Sequence, residues 1–302
     1  MKVFITGGLG FVGTKLTDML IADGNKVTVV GRNPGNRPAP HKNITLIAAD
    51  ATKPGAWQNI LAEHETIINL AGVSIFSRWS SQKKQEIWDS RLRITRNIAD
   101  ALKKRKGKKT NLFSASAVGY YGFHGDEELT EGDNTGGDFL ARLCRDWEAE
   151  AAAAQSYGAR VVFTRFGTVL GRGGGAMSIL VKLFGLGLGS SLGSGKQWFS
   201  WIHEDDLASI FSFLLRKKNV TGAINCTAPN PVTNLELTKV LNQVLRRFPL
   251  VPSVPGFMLK AVFGEFGDFL LKGQRVVPKR LLEAGFAFTY PDLTAAIKNI
   301  AG

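Results

Sequence analysis

The residues best suited to chemistry stand at the start of the chain. Thr6-Gly-Gly-Leu-Gly-Phe-Val-Gly13 sets glycines at positions 7, 10 and 13. Gly7 permits a tight turn off a strand, and Gly10 lets the backbone approach a pyrophosphate with no Cβ in the way. Gly13 lets a helix pack closely on a sheet. The N–H groups of Phe11, Val12 and Gly13, at the positive end of that helix, then face the phosphates. A structural turn is the bland alternative. The apolar run at 3–6 and the helical pattern at 11–22 bracket the motif as a strand and a helix, which favours a dinucleotide.

The second apolar run ends Val29-Val30-Gly31-Arg32. An NAD site would usually carry Asp or Glu there for the ribose 2′-hydroxyl. A guanidinium instead grips a 2′-phosphate with two hydrogen bonds, so Arg32, with Arg37 nearby, points to NADP. The alternative is an exposed loop charge at an unselective site. Asp50 follows the third run. It suits either the adenine amino group or a turn or helix cap.

Other residues have both a chemical and a structural reading. Ser116 is a candidate site hydroxyl or a satisfied strand-end hydroxyl. Tyr120 and Tyr121 overhang a cofactor or are core and rim aromatics. Arg91 is a buried structural cation or a charge suited to an anionic substrate. His203 precedes Glu204, Asp205 and Asp206. Acids there suit a helix N-terminus, so capping competes with a general acid/base role. Two Cys and four scattered His exclude a disulfide framework and a four-Cys zinc site, and no metal is expected.

These groups need a scaffold. Apolar runs at 3–6, 26–30, 45–49, 66–70, 111–116 and 160–165 alternate with helical patterns, notably 81–103 and 138–155. β-branched runs separated by helices predict a parallel sheet covered on both faces. The expected class is α/β, a Rossmann-like doubly wound sheet with a smaller C-terminal, substrate-side subdomain. Residues 1–170 form the dinucleotide-binding part, to which strands and helices return from about 200–230. Residues 171–302 form the substrate cleft and C-terminal part. Glycines crowd 171–195, which reads as a mobile loop. Helices resume at 205–216 and 235–247, and Pro249, Pro252 and Pro255 make a bend.

The chain has 302 residues, 44% hydrophobic and 21% charged, which excludes a disordered chain. No apolar run approaches the ~20 residues of a membrane span. The opening run is far short of the roughly 7–15 apolar residues of a signal peptide. A cytoplasmic protein with reduced thiols is expected. The net charge of +13 invites a nucleic-acid reading. Its densest source, Lys103-Lys-Arg-Lys-Gly-Lys-Lys109, holds no stacking aromatic and reads as a solvated loop at a helix end. Arg216-Lys-Lys218 and Arg246-Arg247 are similar clusters. A small-molecule partner is expected rather than nucleic acid.

The motifs also carry a resemblance. The glycine motif, Asn69-Leu-Ala-Gly72 and Phe113-Ser-Ala-Ser116 resemble the extended short-chain dehydrogenase/reductase superfamily. The chain is most similar to its "epimerase family protein" group, related to nucleotide-sugar epimerases and bearing a C-terminal domain of unknown function. Arg78-Trp79, Ser90-Arg91-x-x-x-Thr95, Gly137-Asp-Phe139, Trp147-Glu148 and Val169-Leu-Gly-Arg-Gly-Gly-Gly-Ala-Met177 carry that likeness. So do Ser200-Trp-Ile-His203, Asp206, Gly273-Gln-Arg-Val276, Pro278 and Ala284-Gly-Phe286.

The resemblance implies a parallel sheet of seven or so strands with NADP across the strand ends. It implies that Leu70, Ala71 and Gly72 pass under the nicotinamide ribose and phosphates, and that the C-terminal part is a lid. It also implies a Ser or Thr, and a Tyr and Lys four apart on helix 138–155. Taking Glu148 as the Glu four residues beyond that Lys puts Leu140 and Cys144 at the two positions. Tyr120, Tyr121, Tyr157 and Tyr290 are followed four residues later by His124, Gly125, Val161 and Thr294, so the pair occurs nowhere. Arg142 and Arg145 flank the vacated positions, and Arg91 replaces an Asn. The expected function is an NADP-binding oxidoreductase or epimerase with an atypical site. The rival is a non-catalytic NADP(H)-binding regulator or scaffold.

Overall fold

Each short β-branched run of the first half becomes a strand, and each amphipathic stretch between two runs becomes the helix that crosses back. The structure, a computed structural model, describes residues 1–34, 42–105, 107–187, 189–246 and 252–302. The strands are β1 (Lys2–Thr6), β2 (Lys26–Gly31), β3 (Ile44–Ala48), β4 (Thr66–Asn69), β5 (Thr110–Ala117), β6 (Glu128–Leu129) and β7 (Ala159–Phe166). There follow β8 (Thr168–Leu170), β9 (Trp198–Phe199), β10 (Trp201–His203), β11 (Gly222–Cys226), β12 (Val232–Thr233) and β13 (Arg275–Val276). The helices are α1 (Phe11–Ala22), α2 (Trp57–Leu61), α3 (Ser81–Leu102), α4 (Phe139–Ala152), α5 (Gly175–Gly185) and α6 (Glu204–Arg216). The tail adds α7 (Asn234–Val244), α8 (Gly256–Phe263), α9 (Glu265–Leu270), α10 (Lys279–Glu283) and α11 (Leu293–Ala301).

Seven strands form one parallel sheet in the order β11-β7-β5-β4-β1-β2-β3. Its two faces follow the period of two along a strand. Val3 and Ile5 of β1 join Leu16, Leu20, Ile210 and Phe211 under α1 and α6. Phe4, between them, joins Ile67, Ile94, Ile98, Leu112 and Ala151 under α3 and α4. The chain leaves β1 toward β2 and β3, then crosses back to β4 on the other side. The crevice where strand order reverses opens at the carboxyl ends of β1 and β4. The fold is thus the doubly wound α/β class.

The C-terminal segment is tied down at several points. β13 pairs with β6, and Lys84 of α3 reaches Glu265 at 2.7 Å. Arg78 donates to the Ala261 carbonyl at 3.0 Å. The buried Asp206 accepts from the backbone N–H groups of Thr289 at 2.8 Å and Tyr290 at 2.9 Å.

Three expectations need correction. Residues 171–195 are not a loop throughout, because α5 occupies Gly175–Gly185. Its apolar run buries Met177 and Phe184. Gly174 serves close packing, since a Cβ there would lie 2.3 Å from the Phe11 ring. The stretch 138–155 ends its α-helix at Ala152 and continues as a 3₁₀ turn, Ala153–Tyr157. In the basic run, Arg105 is buried rather than solvated, bonding Thr110 Oγ1 at 2.8 Å and the Ala62 carbonyl at 2.7 Å. Lys106, Arg247 and Pro249 lie outside the described residues.

Candidate functional site

β1 ends at Thr6, whose hydroxyl donates to Asn69 Oδ1 of β4 at 2.6 Å. Gly7 then takes φ +74°, a left-handed conformation that side chains disfavour. A Cβ on Gly7 would also stand 2.8 Å from the Ala71 nitrogen. The turn closes through Gly10 N–H to the Gly7 carbonyl at 3.0 Å. A Cβ on Gly13 would lie 2.1 Å from that same oxygen, so only glycine lets α1 start this close to the strand. Gly10 caps α1 with extended backbone, no side chain caps the helix, and its first turn holds no acid. The positive end of a helix therefore opens on the crevice. The chemistry and the missing Cβ atoms both fit a dinucleotide diphosphate.

On one side of this turn, Arg32 is exposed directly after β2. Gly31 and Ala48 are register partners, so the ends of β2 and β3 bring Arg32 near Asp50. Asp50 Oδ1 accepts from the Thr52 hydroxyl at 2.7 Å and the Thr52 N–H at 3.1 Å. The Thr52 bonds, with Arg32 adding to them, hold its carboxyl below the usual range. Arg37 lies outside the described residues. On the other side, Leu70, Ala71 and Gly72 follow β4, with Leu70 N–H bonded to the Thr6 carbonyl at 3.0 Å.

Beneath Gly72 lies Arg91 of α3. Its Nη1 donates to the Val73 and Ile87 carbonyls, each at 3.1 Å. Its guanidinium stands 5.2 Å from the Trp147 ring centre. Burial lowers its pKa to about 10.

Ser116 of β5, Arg165 of β7 and Asn225 of β11 are register partners across three adjacent strands. They therefore share one face of the sheet, and α4 lies over it. Glu148 comes down from α4 and meets Arg165 with two bonds of 2.8 Å, Nε to Oε1 and Nη2 to Oε2. The Ser116 hydroxyl donates to the same Oε1 at 2.7 Å. Arg165 Nη1 donates to the Tyr121 hydroxyl at 2.9 Å, which donates to Asn225 Oδ1 at 2.7 Å. Asn225 Nδ2 reaches the Val277 carbonyl at 3.0 Å. The network thus ties the sheet, α4 and the C-terminal segment together.

Burial pushes the Tyr121 hydroxyl up to about 12, with Arg165 opposing the shift. Burial opposes the charge on Arg165, but its bonds to Glu148 outweigh that and its pKa is raised.

Tyr120 is half-buried, and its ring lies 3.5 Å from the Arg165 guanidinium carbon. Leu140 packs against Gly119, just before it. Cys144 is buried, and burial with Glu148 nearby pushes its thiol up to about 12. A thiol so placed stays protonated and inert.

Arg142 is exposed and bonds the Gly137 carbonyl, and exposed Arg145 pairs with Asp146. His203 is fully buried at the start of α6. Its Nδ1 accepts from Asp205 N–H at 3.1 Å, so Nε2 carries the proton and donates to Asn299 Oδ1 at 3.2 Å. Tyr290 covers its ring at 4.0 Å. The structure thus gathers Ser116 and Tyr120, and gives His203 other partners.

Sequence reasoning missed Arg165 and Asn225, and of its two readings of Tyr121 the structure shows the core one, fully buried. An Arg inside the apolar run Ala159–Phe166 was the available signal, since a buried cation requires an acid.

A cleft of about 530 Å³ lies between the loop after β5 and the C-terminal segment. Phe123, Trp198, Lys196, Lys272, Asp126 and Glu127 are among its lining residues. Among the described residues no cluster of His, Cys, Asp or Glu could hold a metal, and no helix is long and apolar enough to cross a membrane.

Residues 3–226 match the NAD dependent epimerase/dehydratase family, and residues 254–300 match a domain of unknown function, DUF1731. An Arabidopsis thaliana protein, "Epimerase family protein SDR39U1 homolog, chloroplastic", is 39% identical over 99% of this chain and 86% of its own. The Bacillus subtilis "Epimerase family protein YfhF" is 36% identical over 99% of this chain and 98% of its own. Among solved structures, human epimerase family protein SDR39U1 (isoform 2) with NADPH aligns with TM-score 0.85 and 35% identity, covering 100% of this chain and 99% of that one.

Proposed function

Because the chain belongs to the NAD-dependent epimerase/dehydratase family, we propose that it binds NADP(H) and carries out an oxidoreduction on a small anionic substrate at an atypical site. The observation that carries this reading is the uncapped start of α1 at the glycine turn, with Arg32 at the end of β2. Gly7, Gly10, Phe11, Val12 and Gly13 would hold the diphosphate through backbone amides. Arg32 would hold the 2′-phosphate and Asp50 the adenine side. Leu70, Ala71, Gly72 and Arg91 would line the other half. The NADPH in the human relative supports the choice of cofactor. When bound, the nicotinamide supplies or accepts a hydride.

Leu140 and Cys144 stand four apart on α4, where the resemblance puts an acid/base pair. Leucine has no proton to give, and the buried thiol holds no charge. The proton therefore falls to the Tyr120 hydroxyl, which the Arg165 guanidinium positions from one face of the ring. Ser116, held by Glu148, steadies the same edge. His203, with both nitrogens engaged, holds α6. The cleft carries Lys196 and Lys272 together with Asp126 and Glu127, so its lining suits a polar substrate, and the preference for an anion rests on Arg91.

The test is NADPH oxidation over sugars, quinones and small carbonyls, with Tyr120→Phe alongside the wild type. Turnover lost in the variant with NADPH affinity kept supports the assignment. Equal turnover by both refutes the role of Tyr120. A second reading, a non-catalytic NADP(H)-binding regulator, is favoured by the apolar pair on α4. Saturable binding with no turnover on any substrate would select it.

A further inference from the structure

Arg91 leaves the middle of α3 and ends under the turn after β4. Three anchors fix its charge there. Nη1 bonds the Val73 and Ile87 carbonyls, Trp147 backs the guanidinium plane, and Gly72 leaves it room. A Cβ on residue 72 would stand 3.0 Å from its Cζ. None of these anchors is an acid, and no described carboxylate forms an ion pair with Arg91. The ionisable group acting on it is the Cys144 thiol, which is neutral. Glu148 is already claimed by Arg165 with two bonds.

A neutral amide would serve two carbonyls as well. A half-buried cation with no counter-ion is a costly feature for tethering alone. Nε and Nη2 have no acceptor among the described residues, and neither is among the fully buried unpartnered atoms, so that edge keeps some exposure. The sheet order puts β4 and β5 on the opposite side of β1 from β2 and Arg32. A dinucleotide with its phosphorylated ribose at Arg32 would lay its nicotinamide half over β4 and β5.

We propose that Arg91 supplies the fixed, uncompensated positive charge of the nicotinamide half, and that this charge makes the site prefer the reduced dinucleotide. The proposal rests on the NADP(H) reading above. The argument is one of charge: the oxidised ring is a cation, the reduced ring is neutral, and the guanidinium repels only the former. Oxygens of the ribose or of an anionic substrate would then meet the free N–H edge.

NADPH and NADP⁺ are titrated separately by fluorescence and calorimetry. The wild type should bind NADPH at least about tenfold more tightly than NADP⁺. Arg91→Met should bring the two affinities together. Arg91→Lys should keep much of the preference, and Arg91→Met with Cys144→Lys should recover part of it, because residue 144 adjoins the guanidinium. Should Arg91→Met fold poorly, Cys144→Asp sets an acid beside an intact Arg91 and should abolish the preference by itself. A folded Arg91→Met with the wild-type affinity ratio would overturn the proposal, as would equal binding of both forms by the wild type. A wild type that binds neither form would instead sink the cofactor reading itself.

Discussion

Arg165→Met removes one member of a buried ion pair and leaves the other in place. Arg165 is 3% exposed and Glu148 8% exposed. The substitution deletes two charge-assisted bonds of 2.8 Å to Glu148 and one bond of 2.9 Å to Tyr121. Breaking such a pair costs about 3–5 kcal/mol, mostly because the remaining charge is buried alone. At roughly 2–4 °C per kcal/mol for a large domain, the melting temperature should fall by about 6–20 °C. Arg165→Met with Glu148→Gln should recover most of the loss, since no charge is left unpaired. Thermal melts followed by circular dichroism provide the readout. A single variant melting within about 1 °C of wild type would refute the reasoning.

Arg32→Ala should weaken NADPH binding by about 10–100-fold, the worth of hydrogen bonds between charged groups, and leave NADH binding unchanged. Equal losses for both cofactors would remove Arg32 from the 2′-phosphate. Gly13→Ala sets a Cβ 2.1 Å from the Gly7 carbonyl, so NADPH binding should disappear and the melting temperature should drop. Wild-type affinity in that variant would argue against the close turn. Burial lowers the pKa of both His203 and His64, so each is held neutral in the fold. Their contribution to stability is complete above about pH 6.5 and is lost as pH falls through the depressed folded values. His203→Asn keeps a helix cap and removes one titration, so denaturant melts should show a shallower acid slope. An unchanged slope would mean that His203 already titrates freely.

Much of this architecture was legible locally. The glycine turn declares itself because each glycine answers a steric demand within eight residues of chain, and β1 and α1 bracket it. The parallel sheet follows from apolar runs separated by helices. Elements whose cause lies elsewhere in the fold were not legible. α5 forms because its apolar face finds α7 and the core around Trp201, and its glycines meet Phe11, more than 160 residues earlier in the chain. β6, β9, β12 and β13 have two residues each, too few to show a period. The site splits the same way. Arg32 stands at the expected strand end. The row Ser116, Arg165 and Asn225 exists only through strand register, which no single segment encodes. Arg105 looked like one cation among six, and only the position of Thr110 and the Ala62 carbonyl turns it inward.

The central claim is that the first turn of α1, unobstructed by any side chain, receives the diphosphate of a phosphorylated pyridine dinucleotide. Calorimetric titration of the purified chain with NADPH and then NADH tests it most directly. The account predicts saturable NADPH binding at one site per chain, with NADH at least about tenfold weaker. A flat titration with NADPH, in protein that melts cooperatively, would contradict it.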